Sequence, residues 1–209
     1  MYSRKEEVLN IWTHGFADLC FVILGGILLY KLSETDYLSL SSAVIYVSSL
    51  ILLYTASTCY HSAKEGSLLR SRLRILDHVA IYILIAGSYT PFCLVAMEDS
   101  GGISLFIWVW SIALIGSIVK IFFTGKLNII STLGYVFMGW LIVFYWSDLK
   151  ESVSSEGIQL LIYGGLLYSI GAVLYVLPGL KYNHAIFHVF IFAGSLVHFW
   201  GIYSQIYFI

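Results

Sequence analysis

The stretch HAIFHVFIFAGSLVHFWGIYSQIY, residues 184 to 207, decides the fold. It contains no Asp, Glu, Lys or Arg, and as a helix rising 1.5 Å per residue it is long enough to cross the roughly 30 Å hydrocarbon core of a bilayer. Six further apolar runs precede it, at about residues 15 to 32, 39 to 61, 77 to 97, 103 to 124, 127 to 147 and 157 to 177. The runs are continuous rather than alternating, which excludes a β-barrel, and lipid otherwise admits only helices. The chain therefore reads as an all-α polytopic membrane protein, a seven-transmembrane-helix bundle. Composition agrees, because 59% hydrophobic and 11% charged residues leave too little polar surface for a soluble globule. No polar stretch is long enough to fold separately, so residues 1–209 are expected to form one transmembrane domain.

A net charge of -1 offers no basic surface for nucleic acid. Cys20, Cys59 and Cys93 are odd in number, lie within or beside apolar runs and form no CxxC pair. They read as unpaired core thiols. The first run follows Arg4 and Lys5 and could imitate a signal peptide, but Asp18 interrupts it and no small-residue cleavage site follows, so it is expected to be a retained span.

The connecting segments carry an orientation signal. Counted by alternate sides, one holds Arg4, Lys5, Lys64, Arg70, Arg72, Arg74, Lys120, Lys126 and Lys181, and the other only Lys31 and Lys150. Cationic residues stay in the cytoplasm, so nine against two predicts a cytoplasmic N-terminus and, with seven spans, a C-terminus outside.

That orientation gathers distant residues at one depth. His61 closes the second span, Asp77 opens the third and His184 opens the seventh, all on the cytoplasmic side. His188 lies one turn beyond His184, and the i,i+4 spacing puts both imidazoles on one helix face, where they can chelate one metal. A third nitrogen from His61 would leave a tetrahedral zinc with one position for water, as catalytic sites have. Ionisable groups in apolar helices are costly and usually functional. Asp77 has two readings: an anion capping helix N-terminal amides, or the counter-charge that the histidine set lacks. Ser57, one turn before His61, either returns its hydroxyl to the i−4 carbonyl or faces Asp77.

These residues carry a resemblance. SxxxH from Ser57 to His61, Asp77 within RLRILDHVAIYILIAGSYTPF, HAIFHVFIFAGSLVHF from His184, and EEVLNIWTHG from Glu6 together resemble the hemolysin III proteins, over nearly the whole chain. That family sits with the progestin and adipoQ receptor (PAQR) family, which includes the adiponectin receptors, and more distantly with the alkaline ceramidases. The resemblance implies that His61, His184 and His188 bind Zn2+, with Asp77 near the zinc-activated water and Ser57 beside it as catalytic residues. It also implies a membrane lipid as substrate, hydrolysed at an amide or related acyl bond, and placement in a bacterial plasma membrane. The rival readings are a pore-forming haemolysin and a receptor-like protein whose zinc is structural. Against a pore, the charges cluster at one face and form no ring through the bilayer of the kind a conducting path usually needs.

Several polar residues stay outside this set. Asn10, His14 and Asp18 share one face of the first span, where they either line the mouth of the site or make packing contacts. His78 points elsewhere around its helix than Asp77. His198 lies about 15 Å beyond His188, too far for the same metal, and is expected to make a helix-helix hydrogen bond. Tyr89, Thr90 and Pro91 are expected to kink the third span, and Gly25, Gly26, Gly164 and Gly165 to permit close helix packing.

Overall fold

The computed structural model describes residues 3–126, 128–177 and 179–208. Met1, Tyr2, Leu127, with which the fifth expected run begins, Pro178 and Ile209 lie outside them. The described residues form helices α1 (Arg4–Lys31), α2 (Tyr37–Ser62), α3 (Leu68–Pro91), α4 (Gly102–Phe123), α5 (Asn128–Gly139), α6 (Trp146–Ser152), α7 (Ser155–Val176) and α8 (Asn183–Ile202). With α5 and α6 continuous through a 3-10 segment, Leu141–Tyr145, seven helices are long and apolar enough to cross a membrane. They close into a ring: α1 packs on α2, α2 on α3, α3 on α4 and α5, α5 on α7, α7 on α8, and α8 returns to α1. The outer surface is apolar, with Trp12, Trp108, Phe122, Phe144 and Trp200 all exposed, as lipid contact requires and water does not permit on this scale.

Two helices begin well before the apolar runs that announce them. Ser3 caps α1, its hydroxyl accepting from the Glu6 N–H, and Glu6 and Glu7 sit in the favourable first turn. The polar segment from Glu6 is thus helical, with Glu6, Asn10 and His14 on its buried face. Ser67 caps α3 by accepting from the Arg70 N–H. Asp77 is consequently inside α3, not at its start, and its reading as a capping anion fails.

The fifth span is not one helix. It breaks after Gly139, and Tyr89 of α3 takes up the backbone groups that the break frees: its hydroxyl donates to Gly139 C=O (2.7 Å) and accepts from Ile142 N–H (3.1 Å). Irregular backbone at membrane depth survives only when protein satisfies it in this way. Pro91 ends the regular part of α3, and the chain continues as a π turn, Phe92–Ala96. Of the four glycines read as packing contacts, Gly164 admits the His198 ring and Gly25 admits Val47, whereas Gly26 faces open space. All three cysteines are free, but only Cys93 is buried in the core; Cys20 is half-buried, and Cys59 is exposed on the face of α2 opposite His61.

Candidate metal centre and cavity

The last turn of α2 and the first turns of α8 bring His61, His184 and His188 together, all buried, with one potential ligand atom from each lying within 4.8 Å of the others. His61 Nε2 is 3.0 Å from His184 Nε2, and His188 Nε2 is 3.1 Å from the same atom. Their partners fix the tautomers. His61 Nδ1 lies 2.6 Å from Glu7 Oε2, a carboxylate that is itself ion-paired to Arg70 and can only accept, so Nδ1 carries the proton. Thr13 gives its one hydroxyl proton to the Leu9 or Asn10 carbonyl and accepts from His188 Nδ1, 3.2 Å away.

Both His61 and His188 therefore turn an Nε2 lone pair toward His184 Nε2, and a single proton there can serve only one of them. A cation satisfies all three. The separations suit it, since a tetrahedral zinc at about 2.0–2.1 Å from each nitrogen holds its ligands roughly 3.3 Å apart. An outer carboxylate on one ligand and a hydroxyl on another are the partners that orient metal-binding imidazoles. The donor set thus fits a metal ion.

Glu7, Thr13 and Arg70 are the residues that sequence reasoning passed over. Arg70 ties three elements at this end: it pairs with Glu7 of α1, donates to Ala63 C=O just past α2 (2.8 Å), and lies over the Tyr60 ring (4.9 Å). The carboxylate placed on the triad is Glu7 rather than Asp77. Glu7 stood inside the quoted N-terminal motif, but nothing local marked its partner, 54 positions away.

Asp77, buried, lines a largely apolar cavity that also takes in Ser57, His184 and His188 and runs inward to Phe92, Ile142 and Leu161. Ser57 does not return its hydroxyl to the helix backbone. Its oxygen is buried and turned toward the Asp77 carboxylate, its hydrogen-bond partner across the cavity wall. His78 donates from Nδ1 to Arg74 C=O (2.8 Å) and stays out of the triad. A second, polar depression reaches the triad from outside past Arg70, Arg74 and His78, with His184 at its floor.

The polar face of α1 divides between the two earlier readings. Asn10 is fully buried with its side-chain amide 3.3 Å from His61 Nδ1, and the His14 ring stacks on His188 at 3.5 Å. Asp18 instead accepts from Thr55 (2.9 Å), a packing contact. His198 lies apart, bonded through Nε2 to Leu161 C=O at 3.1 Å, which is the helix-helix hydrogen bond expected of it.

The family model described as haemolysin-III related matches residues 2–199. The chain belongs to this family. It is 38% identical over 200 residues to the Hemolysin-3 homolog of Bacillus subtilis (strain 168), covering 95% of this chain and 93% of that one. To Hemolysin-3 of Bacillus cereus it is 40% identical over 196 residues, 93% and 89% of the two chains. The Adiponectin receptor protein of Drosophila melanogaster aligns at 27% identity over 239 residues, 97% of this chain and 51% of the receptor, so the resemblance to the PAQR proteins holds as well. This haemolysin-III related chain is thus a multi-pass membrane protein with a buried three-histidine group able to hold a metal ion.

Proposed function

We propose that the protein is a zinc-dependent membrane hydrolase that cleaves an amide, or a related acyl bond, in a lipid. One juxtaposition carries this reading: three buried histidines, two of them tautomer-locked, at the polar end of an apolar cavity, with the Asp77 carboxylate and the Ser57 hydroxyl in its wall. The distant likeness of the sequence to the alkaline ceramidases points to the same bond type. His61, His184 and His188 would hold the zinc, whose Lewis acidity acidifies water and polarises an acyl carbonyl. Asp77 accepts the proton of the attacking water at its carboxylate and delivers it to the leaving nitrogen or oxygen. Ser57 donates its hydroxyl to Asp77 or to the water and holds it in line. The apolar wall seats the acyl chain and excludes bulk water, which strengthens each polar contact inside. In this reading the polar depression beside Arg70 admits water, and the cavity accepts the acyl chain.

In this reading the site faces the cytoplasm of a bacterial cell and the C-terminus lies outside, which the nine-to-two distribution of Lys and Arg supports. A reporter fused after Ile209 is expected to be active outside, and one inserted near Arg70 inside; the reverse pattern moves the site to the other leaflet.

The deciding experiment measures zinc content and N-acyl lipid hydrolysis in the purified protein and in Asp77→Asn. The variant is expected to keep its zinc, because the three histidines remain, and to lose about 10²- to 10⁴-fold in turnover, the usual contribution of an acid-base group. Full activity in a folded, zinc-loaded variant removes Asp77 from the mechanism. A wild type that cleaves no acyl lipid but permeabilises liposomes, regardless of these residues, gives the function to the pore.

A further inference from the structure

Lys120 was counted from the sequence among the charges that set topology, yet the structure turns it inward. It lies in the last turn of α4, where its neighbours Ile121 and Phe122 face outward, exposed, while Lys120 itself is only 2% exposed and lines the cavity that holds Ser57 and Asp77. A lysine near a helix end ordinarily extends its ammonium to the membrane surface. This one does not.

Its ammonium has no counter-ion. Among the described residues no carboxylate pairs with Lys120, and its side chain makes no hydrogen bond; a Tyr135 ring, 6.0 Å away, is the contact it has. Arg74 and His78 lie within electrostatic reach of it and add no negative charge. Glu7 is already committed to Arg70 and His61. Asp77 lines the same cavity and lies within electrostatic reach of Arg74, so one carboxylate stands against Lys120 and Arg74 at this end, an excess of positive charge before any metal is considered. An unpaired ammonium in a low-dielectric cavity is expensive unless a ligand supplies the anion.

We propose that Lys120, backed by Arg74, is an anion-recognition subsite, so that the cavity prefers an acyl chain whose polar end carries a carboxylate over one whose polar end is neutral. This rests on the reading of the cavity as a lipid site and narrows the substrate class to anionic acyl lipids. The apolar wall takes the chain, and the ammonium takes the charge with one or more of its three donors. Two sources share this chemistry: an N-acyl amino acid, anionic beyond its amide, and the free fatty acid that hydrolysis releases.

The test is binding rather than turnover, in neutral-detergent micelles at low salt, with N-palmitoylglycine, N-palmitoylethanolamine and palmitate as probes. Wild type is expected to bind N-palmitoylglycine roughly 10- to 100-fold more tightly than N-palmitoylethanolamine, as a hydrogen bond to a charged group provides. Lys120→Met should bring the two within about twofold by weakening only the anion, and Lys120→Arg should retain the preference. Tighter binding of palmitate than of N-palmitoylglycine, with the same dependence on Lys120, identifies the released acid as the better occupant of the subsite. Equal affinity of wild type for the charged and neutral amides overturns the proposal even if Lys120→Met fails to fold, as does a preference that survives in Lys120→Met. Cleavage of both amides by a wild type that shows no charge preference leaves the hydrolase standing and removes this subsite alone; a charge preference in a protein that cleaves neither does the opposite.

Discussion

α8 carries three buried histidines, and the two ends of that helix use them in opposite ways. At its start, His184 and His188 face His61, so that the Nε2 atoms of three imidazoles meet one another. Near its other end, His198 finds the Leu161 carbonyl on α7 and rests in the space that Gly164 leaves. The same residue type in the same helix is thus a ligand candidate in one place and a packing group in the other. What differs is the partner: a carbonyl accepts the one proton of a neutral imidazole, whereas another lone pair cannot, and a cation resolves that conflict. The surroundings follow suit. The first region is cross-tied by Glu7, Arg70 and Thr13, while the second is bordered by Tyr168, Ser195 and Tyr54, whose hydroxyls bond one another at 2.7–2.8 Å.

The largest effect that can break this contrast is on metal content. Replacing His61, His184 or His188 by Ala removes one of three ligands and is expected to lower zinc affinity by more than about 100-fold, beyond the 10- to 100-fold typical of outer partners. His198→Ala is expected to leave zinc unchanged. Elemental analysis of the four purified variants decides it, and full zinc in His188→Ala or loss in His198→Ala would erase the distinction between the two regions.

A middle-sized effect sharpens it. Glu7→Gln keeps the side chain's shape but withdraws the negative charge that holds His61 Nδ1–H, so His61 should bind metal less well while His184 and His188 remain in place. Zinc affinity is expected to fall about 10- to 100-fold, measured by competition with a chelator. No change would mean that the Glu7–Arg70 pair serves only to tie α1 to α3.

Legibility follows the range of the forces involved. The spans could be read because hydropathy is summed over neighbours in sequence, and His184 with His188 because one helical turn sets their spacing. The extra turns of α1 and α3 escaped, since the caps at Ser3 and Ser67 lie in polar segments that hydropathy discounts. The break in the fifth span escaped because what makes it tolerable is a hydroxyl from another helix, Tyr89. Glu7 and Lys120 escaped for a shared reason: a charge near a membrane end reads as solvated until the fold shows which way it points. Asp77 reads in the sequence as opening its helix, whereas the cap at Ser67 sets it about three turns inside, where capping no longer accounts for it.

The smallest effect concerns the packing region alone. A Cβ on Gly164 would land on the His198 ring, so Gly164→Ala should destabilise the protein by about 1–3 kcal/mol, the usual cost of overpacking. His198→Ala by itself should lose less than the buried contacts suggest, because interhelical hydrogen bonds in membranes average about 0.6 kcal/mol and the remainder is the cavity left by the ring. The two changes share that space, so they should not add: the double variant is expected to be more stable than the sum of the single losses predicts, by about 0.5–3 kcal/mol in a thermal-unfolding cycle. Additive losses would show that the ring does not occupy the Gly164 notch. Zinc content should stay constant through all three variants, because the two ends of α8 are held by different partners, and a parallel loss of metal would show that the helix transmits packing strain from His198 to His188.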